Sequence, residues 1–309
     1  MSGARPLGRA YALALLATML WGLNAVVARA AAGEVAPTLA TWLRLLVGAV
    51  CMSVLLRGRL LAALPAARAQ WRLLAGLALS GMVGFNTLFY IAGSFSPAVN
   101  LSILQGSIPI FVLLGTWLYF GQALSRSQVL GSLVACLGVS LVFGIAAGAG
   151  SGAASLRGEL LGGAITLVAM ALYACFVLGV RQRRGMDASQ LFGVLCWLAL
   201  LLTTPLVLLE AVHDGWHWPT AKGWMLMGLS GLGASFGAQL AFLHAIETLG
   251  AARAGVFMNL IPVFGVGFAA LLLGEPLRLP HLLSLALILA GIALVEHAAR
   301  VPRVQAAPR

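Results

Sequence analysis

Charged residues are scarce in this sequence of 309 residues: they make up 9% of the chain, whereas hydrophobic residues make up 61%. An ordinary soluble domain carries about 25% charged residues. This chain therefore has too few polar side chains to cover a water-facing surface. The composition excludes a soluble globular protein and indicates an all-α integral membrane protein with no room for an extramembrane domain.

Groups that could carry chemistry are also scarce. The four cysteines, Cys51, Cys136, Cys175 and Cys196, each lie inside an apolar run. They offer neither a disulfide framework nor the spacing of a metal site, and we interpret them as small packing residues. Paired buried acids are missing, and so is a nucleophile beside a base. We therefore expect no catalytic residues, no metal and no cofactor.

Long apolar runs are what the chain has instead. A bilayer core of about 30 Å needs roughly 20 apolar residues for each spanning helix. Ten runs meet this length, at 11–32, 38–57, 71–94, 97–120, 126–147, 158–181, 188–210, 221–246, 251–273 and 279–298. The first run has no cleavage pattern, so we expect a retained helix rather than a signal peptide. Pro109, Pro205 and Pro262 lie deep inside their runs and are predicted to kink these helices.

The basic residues lie between the runs and predict the orientation. The net charge is +11, and a nucleic-acid binder would carry such charge on a polar face, which this chain lacks. With the N-terminus inside, fourteen basic residues fall in cytoplasmic segments and four in outer ones. Basic residues favour cytoplasmic loops. The sequence therefore predicts a bacterial inner-membrane protein with both termini in the cytoplasm.

The two halves of the chain resemble each other at a nearly constant offset. A shift of 153 aligns Pro109 with Pro262 and Gly121 with Gly274, and a shift of 152 aligns Trp21 with Tyr173. We predict two repeats, 1–150 and 151–309, each with five helices. Five is odd, so the second repeat enters the membrane from the opposite side. Such inverted repeats recur in secondary transporters, where two halves rock about a site at the bilayer midplane.

Several short segments resemble the drug/metabolite transporter superfamily, specifically its EamA-type ten-helix exporters. They are Leu20-Trp21-Gly22-Leu23-Asn24, Arg44 with the apolar run that follows, Pro109-Ile110-Phe111, and Pro262-Val263-Phe264 with Leu273-Gly274-Glu275-Pro276. The resemblance covers essentially the whole chain and is greatest to the YddG-type exporters of aromatic and other amino acids. It implies helices around a central cavity, alternating access, export and no ATP-hydrolysing domain. Gln122 departs from the pattern, because a Glu is common there.

Polar and aromatic residues far from the helix ends are the candidates for touching a solute, because a polar residue deep in lipid normally faces the bundle interior. The candidate substrate-binding residues are Trp21, Asn24, Asn86, Tyr90, Gln105, Tyr173, Gln239, His244 and Asn259. The repeat places Asn86 opposite Gln239 and Trp21 opposite Tyr173. Amides and aromatic rings suit a neutral or zwitterionic solute with an apolar part. The alternative is that each amide only ties two helices together.

Three further residues are candidates for gating or structural roles, namely Arg44, Pro109 and Pro262. Arg44 lies about two turns inside the outer end of its helix. It would suit a solute carboxylate, but snorkelling to the interface or capping carbonyls of a neighbouring helix are alternatives, and we favour a structural or gating role. His244 could carry a coupling proton, although a neutral core histidine is the favoured interpretation.

The function predicted from these observations is export of small neutral or zwitterionic metabolites, most of all aromatic and other amino acids, by alternating access. Purines or other drug-like metabolites are the alternative solutes. A membrane-embedded enzyme is the rival class, but it would need clustered catalytic groups. A channel would need repeated charges or carbonyl-lined loops, and usually several subunits. The partners are then the solute and the bilayer, with no nucleic acid and no ATPase subunit. One chain contains both repeats, so we expect a monomer.

Overall fold

The computed structural model describes residues 4–148 and 153–300, and its regular structure is helical throughout these residues. Ten helices are long and apolar enough to cross a membrane, which confirms the ten predicted spans. Numbered α1 to α10, their apolar spans are Leu7–Ala30, Pro37–Leu56, Trp71–Phe95, Ala98–Phe120, Arg126–Ile145, Leu156–Val180, Ala188–Asp214, Ala221–Leu249, Arg253–Leu273 and Leu279–Glu296. Two short helices, Gly58–Ala62 and Leu64–Ala69, join α2 to α3. The chain is a multi-pass membrane protein.

Equivalent helices of the two repeats pack antiparallel to each other. The start of α2 meets the end of α7, where Trp42 Nε1 donates to Thr204 Oγ1 (3.1 Å), and nearer the end of α2 Trp197 Nε1 donates to Ser53 Oγ (2.8 Å). Since a rotation axis in the membrane plane turns a helix end over end, antiparallel contact between equivalent helices is what an inverted repeat requires. The predicted inverted arrangement is confirmed.

The contact between α5 and α10 shows the same symmetry in finer detail. Gly131 lies against Gly291, and Gly138 lies against Ser284, whose hydroxyl donates to the Gly138 carbonyl (2.6 Å). Under the shift of 153 residues, Gly138 is equivalent to Gly291 and Gly131 is equivalent to Ser284. The contact of Gly131 with Gly291 and the contact of Gly138 with Ser284 are therefore related by the symmetry of the repeats. Glycine is needed because a side chain at Gly131 or Gly138 would collide with the facing backbone. The two helices therefore approach closely.

Four of the spans are not regular α-helices from end to end. α3 and α8 contain π-helical segments at Ala78–Gly84 and Ser230–Gly237. α4 and α9 are each broken into two, Ala98–Gln105 with Ile108–Phe120, and Ala251–Met258 with Ile261–Leu273. Each irregularity recurs at the equivalent place in the other repeat. They are therefore a property of the fold rather than of one local sequence.

The breaks correct the prediction for two of the three prolines. Pro109 and Pro262 do not kink a continuous helix; each lies in the first turn of the second segment of its span. In the first turn of a helix the backbone N–H groups have no partner within the helix, so proline loses no hydrogen bond there. The break also removes the preceding helical turn with which the proline ring would clash. Pro205 differs, since it lies inside the continuous helix Ala188–Asp214.

Acidic side chains tie helices together on the predicted outer face, which is where α1, α3 and α9 end and α2, α4 and α8 begin. Both carboxylate oxygens of Glu275, just beyond α9, accept from the N–H groups of Ala98 and Val99 at the start of α4 (2.8 Å each). Glu210 at the end of α7 accepts from the backbone N–H and the hydroxyl of Thr38 at the start of α2. Carboxylates are favourable at helix N-termini because the unpaired N–H groups carry partial positive charge.

A third acid holds the loop between α1 and α2 against α8. Glu34 accepts from the Thr220 hydroxyl (2.5 Å) and from Lys222 Nζ (3.0 Å). The hydrogen bond from Thr220, together with the bond and charge of Lys222, holds the pKa of the Glu34 carboxyl below its ordinary value. The carboxylate is therefore ionised at neutral pH and maintains this connection.

Candidate functional site

Five polar side chains meet inside the bundle where α1, α2, α3 and α8 come together. We call them the Arg44 cluster, and they are Asn24, Arg44, Tyr90, Ser230 and Ser235. All five are buried, with Arg44 and Asn24 each 7% exposed. The cluster lies nearer the predicted outer face than the cytoplasmic one, because Asn24 and Tyr90 are within two turns of the outer ends of α1 and α3.

Arg44 is the centre of this cluster. Its Nε donates to Ser235 Oγ (3.0 Å) and its Nη1 to Asn24 Oδ1 (3.1 Å). Ser230 Oγ bridges the remaining members, since it lies 3.2 Å from Asn24 Oδ1 and 2.9 Å from the Tyr90 hydroxyl. The guanidinium carbon also lies 5.9 Å from the centre of the Tyr90 ring. Four helices are thus connected through one guanidinium.

Arg44 neither snorkels to the interface nor caps backbone carbonyls, the two alternatives to a ligand-binding, structural or gating role. At 7% exposure it does not snorkel to the interface, and its partners are side chains rather than backbone carbonyls. Arg29 shows the carbonyl-capping role instead, because its Nη1 donates to the Gly93 carbonyl at the end of α3 (3.0 Å).

In each π-helical segment, a backbone carbonyl accepts a hydrogen bond from a side chain, and the two carbonyls are at equivalent positions of the repeats. Asn86 Nδ2 donates to the carbonyl of Met82 (2.6 Å), and Trp21 Nε1 donates to the carbonyl of Ala234 (3.0 Å). A shift of 152 carries Met82 to Ala234. Asn86 is buried, and its Oδ1 has no hydrogen-bond partner within the described chain. That oxygen is an acceptor left free on α3, one helical turn from Tyr90.

The other aromatic and amide candidates are half-buried. Tyr173 packs against Phe85 (4.8 Å between ring centres), and Trp21 packs edge-on against Phe242 (5.0 Å). Gln239 lies one turn beyond Ser235 on α8, toward the predicted cytoplasmic face. Gln105 is the last residue before the break in α4. Their role in binding a solute stays a prediction.

The last two candidates, His244 and Asn259, also lie outside the Arg44 cluster. The His244 side chain is exposed, so the favoured picture of a histidine inside the core is wrong. Asn259 lies at the break in α9, where its Nδ2 donates to Glu296 Oε1 on α10 (2.8 Å). This bond ties α9 to α10 and matches the helix-tying alternative for an amide.

Ser230 and Ser235 were not predicted as site residues. They are five positions apart, and an α-helix with 3.6 residues per turn would place them on different faces. The π-helical segment brings both toward Arg44. The only feature of the sequence that could have indicated these two site residues is a pair of small polar residues five positions apart in an apolar run.

One small cavity adjoins the Arg44 cluster, and a larger cleft lies elsewhere at the end of the bundle. A cavity of about 10 Å³ lies beside Asn24 and Ser230, which is room for about one water molecule. A cleft of about 400 Å³ opens on the predicted outer face and is lined by Arg29, Lys222 and Glu275 among others. These three charged groups already contact Gly93, Glu34 and the start of α4. The small cavity beside Asn24 and Ser230 would have to widen before it could hold a metabolite.

Comparison with known proteins gives a family match over both repeats. The model of the "EamA-like transporter family" matches residues 8–144 and again residues 159–296. A solved crystal structure superposes with a TM-score of 0.66 over 95% of this chain and 99% of its own, at 19% sequence identity. That likeness concerns the fold alone.

Relatives of similar length are found in three bacteria. A "Probable amino-acid metabolite efflux pump" of Salmonella typhimurium (strain LT2) is 27% identical over 94% of this chain and 96% of its own. An uncharacterized protein of Pseudomonas aeruginosa is 31% identical over 93% and 94%. An uncharacterized transporter of Bacillus subtilis (strain 168) is 24% identical over 74% and 73%.

Proposed function

The chain belongs to the EamA-like transporter family, and from that premise we propose that it exports small zwitterionic metabolites, most of all amino acids, by alternating access. The family makes it a transporter and not an enzyme. The direction follows the efflux named for the Salmonella relative. The solute and the mechanism are the proposed part.

The observation that carries this proposal is the position of the Arg44 cluster inside two inverted repeats. A buried polar cluster is costly in an apolar bundle, and this one joins α1, α2 and α3 of the first repeat to α8 of the second. When two inverted halves rock against each other, a site at their junction becomes open first to one face and then to the other. The half-buried Trp21 and Tyr173 add apolar area for the solute's side chain.

Polarity and charge favour a zwitterion over the other solutes. The cluster offers one cation, three hydroxyl groups and the amide of Asn24, and the free Oδ1 of Asn86 lies one turn from Tyr90 on α3. A phosphorylated solute would want several cations, and Arg44 is the basic residue that lies deep within a described span. We propose that the chain works as a monomer in the bacterial inner membrane, with both termini in the cytoplasm.

Counterflow in reconstituted vesicles tests the proposal. Vesicles holding the purified protein are loaded with one unlabelled metabolite, and uptake of the same labelled metabolite is measured across a panel of amino acids, purines and small cations. Saturable counterflow of amino acids is the expected result. If only purines show counterflow, the solutes are purines and not amino acids. Conversion of a solute into a new compound would contradict a transport function.

The direction of transport needs intact cells. In a strain that overproduces the best counterflow solute, expression of the chain should raise the external concentration. Accumulation inside the cells would reverse the proposed direction while leaving the solute assignment in place.

A further inference from the structure

Arg44 is a buried cation without an anion. Among the described residues, ion pairs join Arg59 to Asp187 and Lys222 to Glu34, and His213 lies 3.9 Å from Asp214. Arg44 is in none of them, and both of its hydrogen-bond partners are neutral side chains. Charged groups in the interior of a membrane protein are normally paired, so this guanidinium lacks the neutralising group that its surroundings demand.

The guanidinium also retains donors. It has five N–H bonds in a planar fork, and the described residues account for one at Nε and one at Nη1. A carboxylate matches this fork, because its two oxygens accept two parallel N–H bonds at once. A carboxylate supplies one negative charge and two coplanar acceptors in a small space, whereas a phosphate monoester carries more charge than one arginine neutralises.

We propose that Arg44 binds the carboxylate of the exported solute; this rests on the proposed function and names the group that the site recognises. Two groups on α3 fit the ammonium group of an α-amino acid. The free Oδ1 of Asn86, one turn from Tyr90 on α3, is an acceptor for the solute's ammonium group, and the Tyr90 ring is a second attractive surface for a cation.

Binding at Arg44 would also loosen the bundle. Nη1 donates to Asn24 on α1 and Nε donates to Ser235 on α8. A carboxylate held by the free N–H groups would also compete for these two donors, and it would then replace links between helices with links to itself. The solute would therefore weaken the connections that keep α1 and α8 beside α2, and only a solute with a carboxylate would do so.

Matched solutes and variants test this proposal. Phenylalanine and its carboxamide differ at the carboxyl group, and each competes against labelled phenylalanine in counterflow by wild type, Arg44→Gln, Arg44→Lys and Arg29→Gln. We expect wild type and Arg29→Gln to prefer the acid by about 10- to 100-fold, as for a hydrogen-bonded charge pair. Arg44→Gln should lose that preference, and Arg44→Lys should keep a weaker one. Equal preference for the acid in wild type and Arg44→Gln would overturn the proposal.

A second measurement does not depend on flux or on amino acids. The thermal unfolding midpoint of the purified protein is recorded with 3-phenylpropionate and with 3-phenylpropanamide. The acid should raise the midpoint of wild type and of Arg44→Lys more than the amide does, and this difference should vanish in Arg44→Gln. If Arg44→Gln does not fold, a lysine variant without any acid preference contradicts the proposal. Protection by the acid without amino-acid counterflow would refute the proposed function alone.

Discussion

At the scale of single residues, two arginines of the outer half of the bundle show how neighbours decide a side chain's role. Arg29 ends against the carbonyls of Gly93 and Ser94, which are spare acceptors at the end of a helix. Arg44 is placed among neutral hydroxyl and amide groups and keeps donors in reserve. Capping stabilises a fold, whereas an unpaired buried cation costs stability. A solute that supplies the missing charge would account for that cost.

The amides Asn86 and Gln239 occupy equivalent positions and give the first prediction. Replacing both by Leu should abolish counterflow, because the free Oδ1 of Asn86 and the half-buried amide of Gln239 are lost as solute partners. The fold should survive, because leucine is similar in size and Asn86 bonds only within its own helix. The measurement is counterflow together with the thermal midpoint. Wild-type affinity in the double variant would remove these amides from the site.

Glu275 gives a prediction about stability. Its carboxylate accepts two backbone N–H groups at the start of α4, and loss of a helix cap costs about 0.5–2 kcal/mol. Glu275→Ala should therefore lower the free energy of unfolding by about 1–2 kcal/mol. Glu247→Ala is the matched control, because Glu247 is exposed near the end of α8, and it should change the free energy by less than about 0.5 kcal/mol. Equal losses would show that the cap contributes nothing.

Glu34 gives a prediction about pH. Thr220 and Lys222 lower the pKa of its carboxyl, so folding favours the ionised form. That contribution is complete above the ordinary carboxyl pKa and disappears as the pH falls through the lowered value. The thermal midpoint of wild type should exceed that of Glu34→Gln at neutral pH, and the difference should shrink on acidification. A difference that grows with acidity would contradict the sign.

At the scale of elements, α4 and α9 end in the same way. Gly121 and Gly274 follow these helices with φ of 62° and 65°, a left-handed conformation that glycine adopts without strain. Gly274→Ala should cost about 1–2 kcal/mol of unfolding free energy. Gly267→Ala, in the interior of the same helix with open space around it, should be neutral or stabilising by up to about 1 kcal/mol. Chemical or thermal unfolding of the two variants decides this, and the reverse order would be inconsistent with the cap.

The elements also show what the sequence can predict. All ten spans were predictable, because length and apolarity are additive along the chain. The alignment of Gly121 with Gly274 predicted that the two glycines are equivalent in the repeats, and each does lie at the end of the equivalent helix. The breaks before Pro109 and Pro262 were mistaken for kinks, because a proline in an apolar run is compatible with either. The π-helical segments left no composition signal, since they depend on backbone bonding and not on residue type.

At the scale of the whole molecule, the two inverted repeats are nearly symmetric in backbone but not in chemistry. Breaks, π-helical segments and antiparallel contacts recur in both halves. Arg44 has no charged equivalent, because shifts of 152 and 153 carry it to Cys196 and Trp197. On the proposed function, the symmetric backbone would supply the motion and the first repeat most of the groups that recognise the solute.

Part of the candidate site was also predictable. Asn24, Arg44 and Tyr90 were found because polar groups in an apolar span are conspicuous. Their mutual contacts were not, since three helices must pack before Arg44 finds its partners. His244 was misplaced because its position in the span says nothing about which face of α8 it occupies.

Alternating access to the junction of the repeats is the central claim, and thiol labelling at one position tests it most directly. The four native cysteines are replaced by serine, Leu20, which lines the small cavity beside Asn24 and Ser230, is replaced by cysteine, and a membrane-impermeant maleimide is applied to either face of oriented vesicles. We predict labelling from the cytoplasmic face without solute, and labelling from the outer face once a counterflow solute is supplied there. Labelling from one face only, under every solute condition, would contradict the account.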